Sequence, residues 1–137
     1  VAGDIFEATV DGSPGPAKVN HRFMPVRRGS RAMLVKSPEY RRWQQDAVRV
    51  FGEVDGQSFP LGPVCVEIDA YWPRCNRKGP AANLCLGDVD AVAKAVLDAL
   101  DAAEVIGDDA QVVEALLRKH YDKDHPRIVV KVTGAES

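Results

Sequence analysis

Between Asp88 and Asp109 the chain carries seven carboxylates (Asp88, Asp90, Asp98, Asp101, Glu104, Asp108 and Asp109) and one base, Lys94, a local net charge of minus six. So many like charges repel one another unless something neutralises them. Clustered carboxylates are what a hard cation such as Mg²⁺ takes, usually one or two, with water and substrate phosphate completing the shell. Asp88, Asp90 and Asp109 could be such donors if the chain returns the third to the first two. A structural reading also accounts for them. Asp88 would cap a helix, Asp90 would complement its dipole and pair with Lys94 four residues on, and Asp108 and Asp109 would decorate a turn. Each such role stabilises by only about 0.3–1 kcal/mol. Residue chemistry leaves both readings standing.

The elements that must position these groups are legible from periodicity. Val89, Val92, Ala93, Val96, Leu97, Leu100 and Ala103 recur at helical spacing, so a helix with one apolar stripe is expected from Asp88 onward. Asp88 and Asp90 then fall in its first turn, with Lys94 one turn beyond. Gln111 to Tyr121 reads as a strand, Asp122 to Arg127 as a turn, Ile128 to Val132 as a closing strand, and Thr133 to Ser137 as a frayed tail.

Upstream, Asp4 to Val10 reads as a short strand ended by the turn signals of residues 11–16. Val26 to Val35 reads as an Arg-rich loop running into a short extended piece, with a flexible surface hairpin as the alternative. Ser37-Pro38 is a helix start, with Ser as N-cap and Pro at the first position, and Tyr40, Trp43, Ala47, Val50 and Phe51 share one face of that helix. After a loop from Gly52 to Gly62, Val64 to Trp72 alternates, with Val64, Val66, Ile68, Ala70 and Trp72 on one face and Asp69 among the outward residues. Pro73 to Leu86 has no periodicity and is expected to be a mobile loop beside the acidic block. The order implies an α+β fold: a small mixed β-sheet with two main helices packed on one side, in a single compact domain over 1–137.

Composition sets bounds on function. With 137 residues, 45% hydrophobic and 28% charged, the chain suffices for one core. It holds no run of about eighteen apolar residues and no secretory segment, so no membrane role and a cytoplasmic setting are expected. Cys65, Cys75 and Cys85 lack any C-x-x-C pairing and read as reduced, metal-free thiols. The net charge is −2, yet from Lys18 to Arg49 nine bases face only Glu39 and Asp46. Basic flanks around an acidic centre are the pattern expected where phosphate is drawn to a metal. Arg27, Arg28 and Arg31 in the Arg-rich loop, with Arg74, Arg77 and Lys78 in the long connection, are the candidate DNA contacts, since half or more of protein–DNA hydrogen bonds go to phosphate and sugar.

The order Asp88-Val89-Asp90, Lys94, Leu97-Asp98-Ala99-Leu100 and Ile106-Gly107-Asp108-Asp109-Ala110-Gln111-Val112, with Asp109 nineteen positions after Asp90, resembles the RusA family of Holliday junction resolvases. Pro16, Asn20 and Phe23 resemble that family's N-terminal segment, which adds Asn20 and Arg22 to the DNA-binding candidates. One departure is Ala91, where the family usually has Asn; it removes a polar contact near the site and leaves the ligand set intact. The resemblance covers nearly the whole chain and implies a compact α+β fold. It also implies Asp88, Asp90 and Asp109 as ligands of Mg²⁺ (or Mn²⁺), with Lys94 as the fourth catalytic residue. The implied activity is symmetric cutting of four-way junction DNA in recombination and repair, by a homodimer of bacterial or phage origin that uses no small-molecule cofactor. The rivals are a junction-binding or architectural protein that keeps the fold without cutting, and a phosphohydrolase of small phosphate esters.

Overall fold

The computed structural model describes residues 5–18, 23–54, 58–73 and 90–135. Four strands form one mixed sheet: β1 (Ile5–Asp11), β4 (Val64–Trp72), β5 (Val112–Tyr121) and β6 (Arg127–Gly134), in the order β1-β6-β4-β5. β4 and β5 run parallel, and the other neighbours pair antiparallel. A parallel pair needs a crossover connection, usually helical, and here α2 (Ala93–Ala102) lies within it. The other helix is α1 (Pro38–Glu53), and β2 (Phe23–Arg28) with β3 (Arg31–Lys36) makes a separate antiparallel hairpin.

The expected α+β architecture is present, and burial explains its layering. Phe6, Ala8 and Val10 of β1, Val64, Val66, Ile68, Ala70 and Trp72 of β4, and Ile128, Val130 and Val132 of β6 are all buried, so the inner face of these three strands is apolar, while β5 at the edge contributes no buried residue. Both helices cover that face. α1 contributes Tyr40, Trp43, Ala47 and Phe51, with Phe51 edge-on to Phe6 at a centroid distance of 5.7 Å. α2 contributes Ala95, Val96, Ala99 and Leu100, so its apolar stripe is core. The start of α1 is as its sequence implies: Ser37 Oγ accepts the Tyr40 backbone N–H at 3.1 Å, and Pro38 needs no partner for an N–H it lacks. No helix among the described residues is long and apolar enough to cross a membrane.

Three boundaries differ from expectation. Helix α2 begins at Ala93 instead of near Asp88, because the chain enters it through a tighter turn in which the Ala93 N–H donates to the Asp90 carbonyl at 3.1 Å. Asp90 therefore precedes the helix instead of lying in its first turn. The stretch expected as an Arg-rich loop takes the alternative form, a hairpin whose turn passes through Gly29 at φ 63°, a conformation that suits glycine. Of the tail expected to fray, Thr133 to Ala135 are held, since β6 runs to Gly134 and the Ala135 N–H donates to the Pro63 carbonyl at 2.9 Å.

Candidate active site

Lys94 is the second residue of α2, exposed on the face opposite the buried stripe. Its Nζ lies 3.0 Å from Asp98 Oδ1, one turn further along the same helix, and 3.0 Å from Asp109 Oδ2. The expected pairing of Lys94 with Asp90 is replaced: among the described residues its ion-pair partners are Asp98 and Asp109. The physical reason is the late start of α2, which leaves Asp90 outside the helical register that brings i and i+4 together.

Asp109 reaches Lys94 because the chain turns back after α2. A 3-10 turn spans Asp109–Gln111, and Asp108 caps it, its Oδ1 accepting the Ala110 N–H at 2.9 Å. The reciprocal half of this capping box is Gln111, whose Oε1 accepts the Asp108 N–H at 2.8 Å. Capping occupies Asp108 and leaves its neighbour to face α2. The Lys94 ammonium, and next the Asp108 side chain, hold the Asp109 carboxyl below the usual carboxylate range. In return Asp109 first, then Asp98, push Lys94 above its ordinary value. Both groups are charged at neutral pH.

The donor chemistry suits a hard cation. Asp109 is a half-exposed, ionised oxygen donor whose present partner is itself a cation, and Asp90 is exposed in the turn before α2. Asp88, the third expected ligand, lies outside the described residues. Among the described residues no three His, Cys, Asp or Glu side chains gather closely enough to hold a metal.

Of the expected nucleic-acid contacts, Arg27, Arg28 and Arg31 are exposed around the tip of the β2–β3 hairpin, with Arg28 paired across from Arg31. The hairpin's base is tied to α1 through Lys36, which donates to Gln44 Oε1 at 3.2 Å and lies over the Tyr40 ring. Asn20, Arg22, Arg74, Arg77, Lys78 and most of the long connection after Pro73 fall outside the described residues.

Asp69 faces the outer side of the sheet. It is engaged by Arg118 at 3.1 Å and His120 at 2.8 Å, while Arg118 also bridges to Glu67 at 3.0 Å. The pairing pushes the Arg118 guanidinium further up, Glu67 first and Asp69 next. Arg118 is thus already ion-paired across β4 and β5, and the His120 ring is hydrogen-bonded to Asp69. Cys65 is a free thiol on that outer side; burial first and then Glu114 push its pKa up, which keeps it protonated.

Two contributors were not singled out from the sequence. Asp98 as the second anion on Lys94 carried a signal, the i,i+4 spacing on one helix. Gln111 carried half a signal, the capping-box spacing from Asp108, while its other partners, the Phe59 and Gly62 carbonyls, lie about fifty positions away along the chain.

A family model described as "Endodeoxyribonuclease RusA" matches residues 14–133 of this 137-residue chain, from the turn after β1 to the penultimate residue of β6. The matched span includes every candidate residue above. Comparison with curated proteins gives no match.

Proposed function

The chain belongs to the RusA endodeoxyribonuclease family, and from that premise we propose that it is a Mg²⁺-dependent endonuclease resolving Holliday junctions by symmetric phosphodiester hydrolysis in recombination and repair. The family implies junction resolution; metal dependence and symmetric cutting are the finer parts of the proposal. The observation that supports it most is the 3.0 Å contact of Lys94 Nζ with Asp109 Oδ2. That contact joins the two halves of the motif, the entry to α2 and the turn that follows it, into one charged locus.

In this reading Asp88, Asp90 and Asp109 hold Mg²⁺ (or Mn²⁺), which when bound supplies Lewis acidity toward the phosphodiester and a nucleophile at neutral pH. Lys94 offers positive charge to the phosphoryl oxygens as charge develops there. Asp98 is a second anchor for Lys94, since the ammonium has both anions at 3.0 Å. Arg27, Arg28 and Arg31 meet the phosphate backbone from the hairpin tip, assisted by Asn20, Arg22, Arg74, Arg77 and Lys78.

A four-way junction presents two equivalent strands, which suits two copies of the chain related by a two-fold axis. The β2–β3 hairpin supports such a homodimer. Phe23, Met24, Met33 and Leu34 are exposed on it, Leu34 to 72%, and none of its side chains joins the described core. A two-stranded hairpin is at best marginally stable alone in water, and burial against a second copy would stabilise it.

The second reading, a junction-binding protein that does not cut, is favoured by Ala91. It is half-buried directly after Asp90 and has no polar side-chain atom. One assay separates the readings: nicking of a synthetic four-way junction against linear duplex, with Mg²⁺ and with EDTA. Paired symmetric cuts in the junction that EDTA abolishes are expected; tight junction binding with no cutting in Mg²⁺ or Mn²⁺ would favour the second reading.

A further inference from the structure

A primary amide has two N–H donors and an oxygen that can accept twice, and Gln111 uses all four capacities. Its Oε1 accepts the Gly107 N–H at 2.7 Å and the Asp108 N–H at 2.8 Å. Its Nε2 donates to the Phe59 and Gly62 carbonyls, both at 2.8 Å. The amide thus sits between two pieces of backbone, the turn carrying Asp108 and Asp109 and the segment leading into β4. We infer that Gln111 is the positioning residue that fixes Asp109 against Lys94, by clamping that turn to the segment before β4.

Two further observations support a clamp. The Phe59 N–H donates to the Val105 carbonyl at 2.7 Å, and Phe59 bridges to Ile106 in parallel. At Gly107 an added Cβ would fall 2.5 Å from the Pro60 carbonyl oxygen, so the two backbones touch where only glycine fits. The segment before β4 is anchored to the sheet, and through Gln111 the acidic turn is anchored to it. Asp109 is then bracketed by its neighbours: Asp108 is spent on capping, Gln111 on the clamp, and Asp109 alone projects to α2. Outer-layer partners of this kind typically carry about 10–100-fold in metal affinity or activity.

The inference rests on the reading of Asp109 as a metal-holding carboxylate, and the test separates the two. Gln111→Glu keeps the acceptor side and turns the donor side against two carbonyl oxygens; Gln111→Asn keeps the amide but is too short to span both segments. Each is compared with wild type and Asp109→Asn for thermal melting, junction affinity in EDTA, calorimetric affinity for Mn²⁺ without DNA, and the Mg²⁺ concentration giving half-maximal junction cleavage. Folded Gln111 variants with unchanged junction affinity are expected to bind Mn²⁺ about 10–100-fold more weakly, with the Mg²⁺ half-point raised in parallel. Wild-type Mn²⁺ affinity and Mg²⁺ half-point in a folded variant, with Asp109→Asn inactive, would overturn the role of Gln111 alone. Wild-type behaviour of Asp109→Asn would overturn the reading beneath it. Loss of folding in both Gln111 variants would assign the amide to the fold and likewise overturn the inference.

Discussion

Asp108 and Asp109 are adjacent and identical in chemistry, yet their surroundings give them different work. Asp108 spends its carboxylate on the Ala110 N–H, and Asp109 spends its own on Lys94. Their sequence could place both in a turn but could not say which would face the helix, since that is settled by a cap one residue wide. The Lys94–Asp109 contact has a defined pH window. Asp109 is lowered in the folded chain, so what the pair contributes is complete above the ordinary carboxylate value, about 3.9, and is lost as pH falls through the lowered one. Lys94 is raised, so the contribution is complete below about pH 10.4 and is lost as pH rises through the raised value. Removing the ammonium with Lys94→Ala is expected to slow junction cleavage by about 10²–10³-fold, the scale of losing one preorganised charge-stabilising donor. Asp98→Asn, which leaves Lys94 in place but with one anchor fewer, is expected to give a smaller loss; equal rates for wild type and Lys94→Ala would remove Lys94 from the chemistry.

At the scale of elements, legibility tracked how strictly one face is buried. Strand β4 was readable to its exact ends because alternate residues from Val64 to Trp72 are core and those between them face out. The hairpin was legible only as the alternative to a loop, because apolar side chains lie on both of its faces and no alternation marks its strands. The start of α2 was misplaced because Val89 and Val92 fit the helical stripe whether or not the backbone is yet helical. Local contacts make the elements testable. Ser37→Ala should lower unfolding free energy by about 1 kcal/mol by denaturant titration, through loss of the bond to the Tyr40 N–H. Gly107→Ala should cost about 1–3 kcal/mol, because its Cβ would overlap the Pro60 carbonyl and force one backbone to move; unchanged stability would mean that the turn and the segment before β4 are less closely apposed.

Across the whole molecule, a net charge of −2 conceals a division of labour. Acidic residues gather around α2 and the turn after it, arginines mark the hairpin tip, and on the outer sheet face Arg118 meets both Glu67 and Asp69. The spacing of Asp90, Lys94 and Asp109 carries the family resemblance, but the proposed dimer surface belongs to an assembled shape that no local pattern encodes. If the hairpin's apolar side chains meet a second copy, Met33→Asp with Leu34→Asp should shift the chain from dimer to monomer in analytical ultracentrifugation. If its arginines meet phosphate, each of Arg27→Ala, Arg28→Ala and Arg31→Ala should weaken junction binding uniformly across sequences and reduce the salt slope by about one.

The central claim is that Asp90 and Asp109, nineteen positions apart in the chain, serve one metal-dependent cutting site. Its most direct test is single-turnover cleavage of a four-way junction in Mg²⁺ by wild type, Asp90→Asn and Asp109→Asn, at protein concentrations that saturate binding. Loss of cutting in both variants with junction binding retained is the predicted result. Wild-type cutting by either variant would contradict the account.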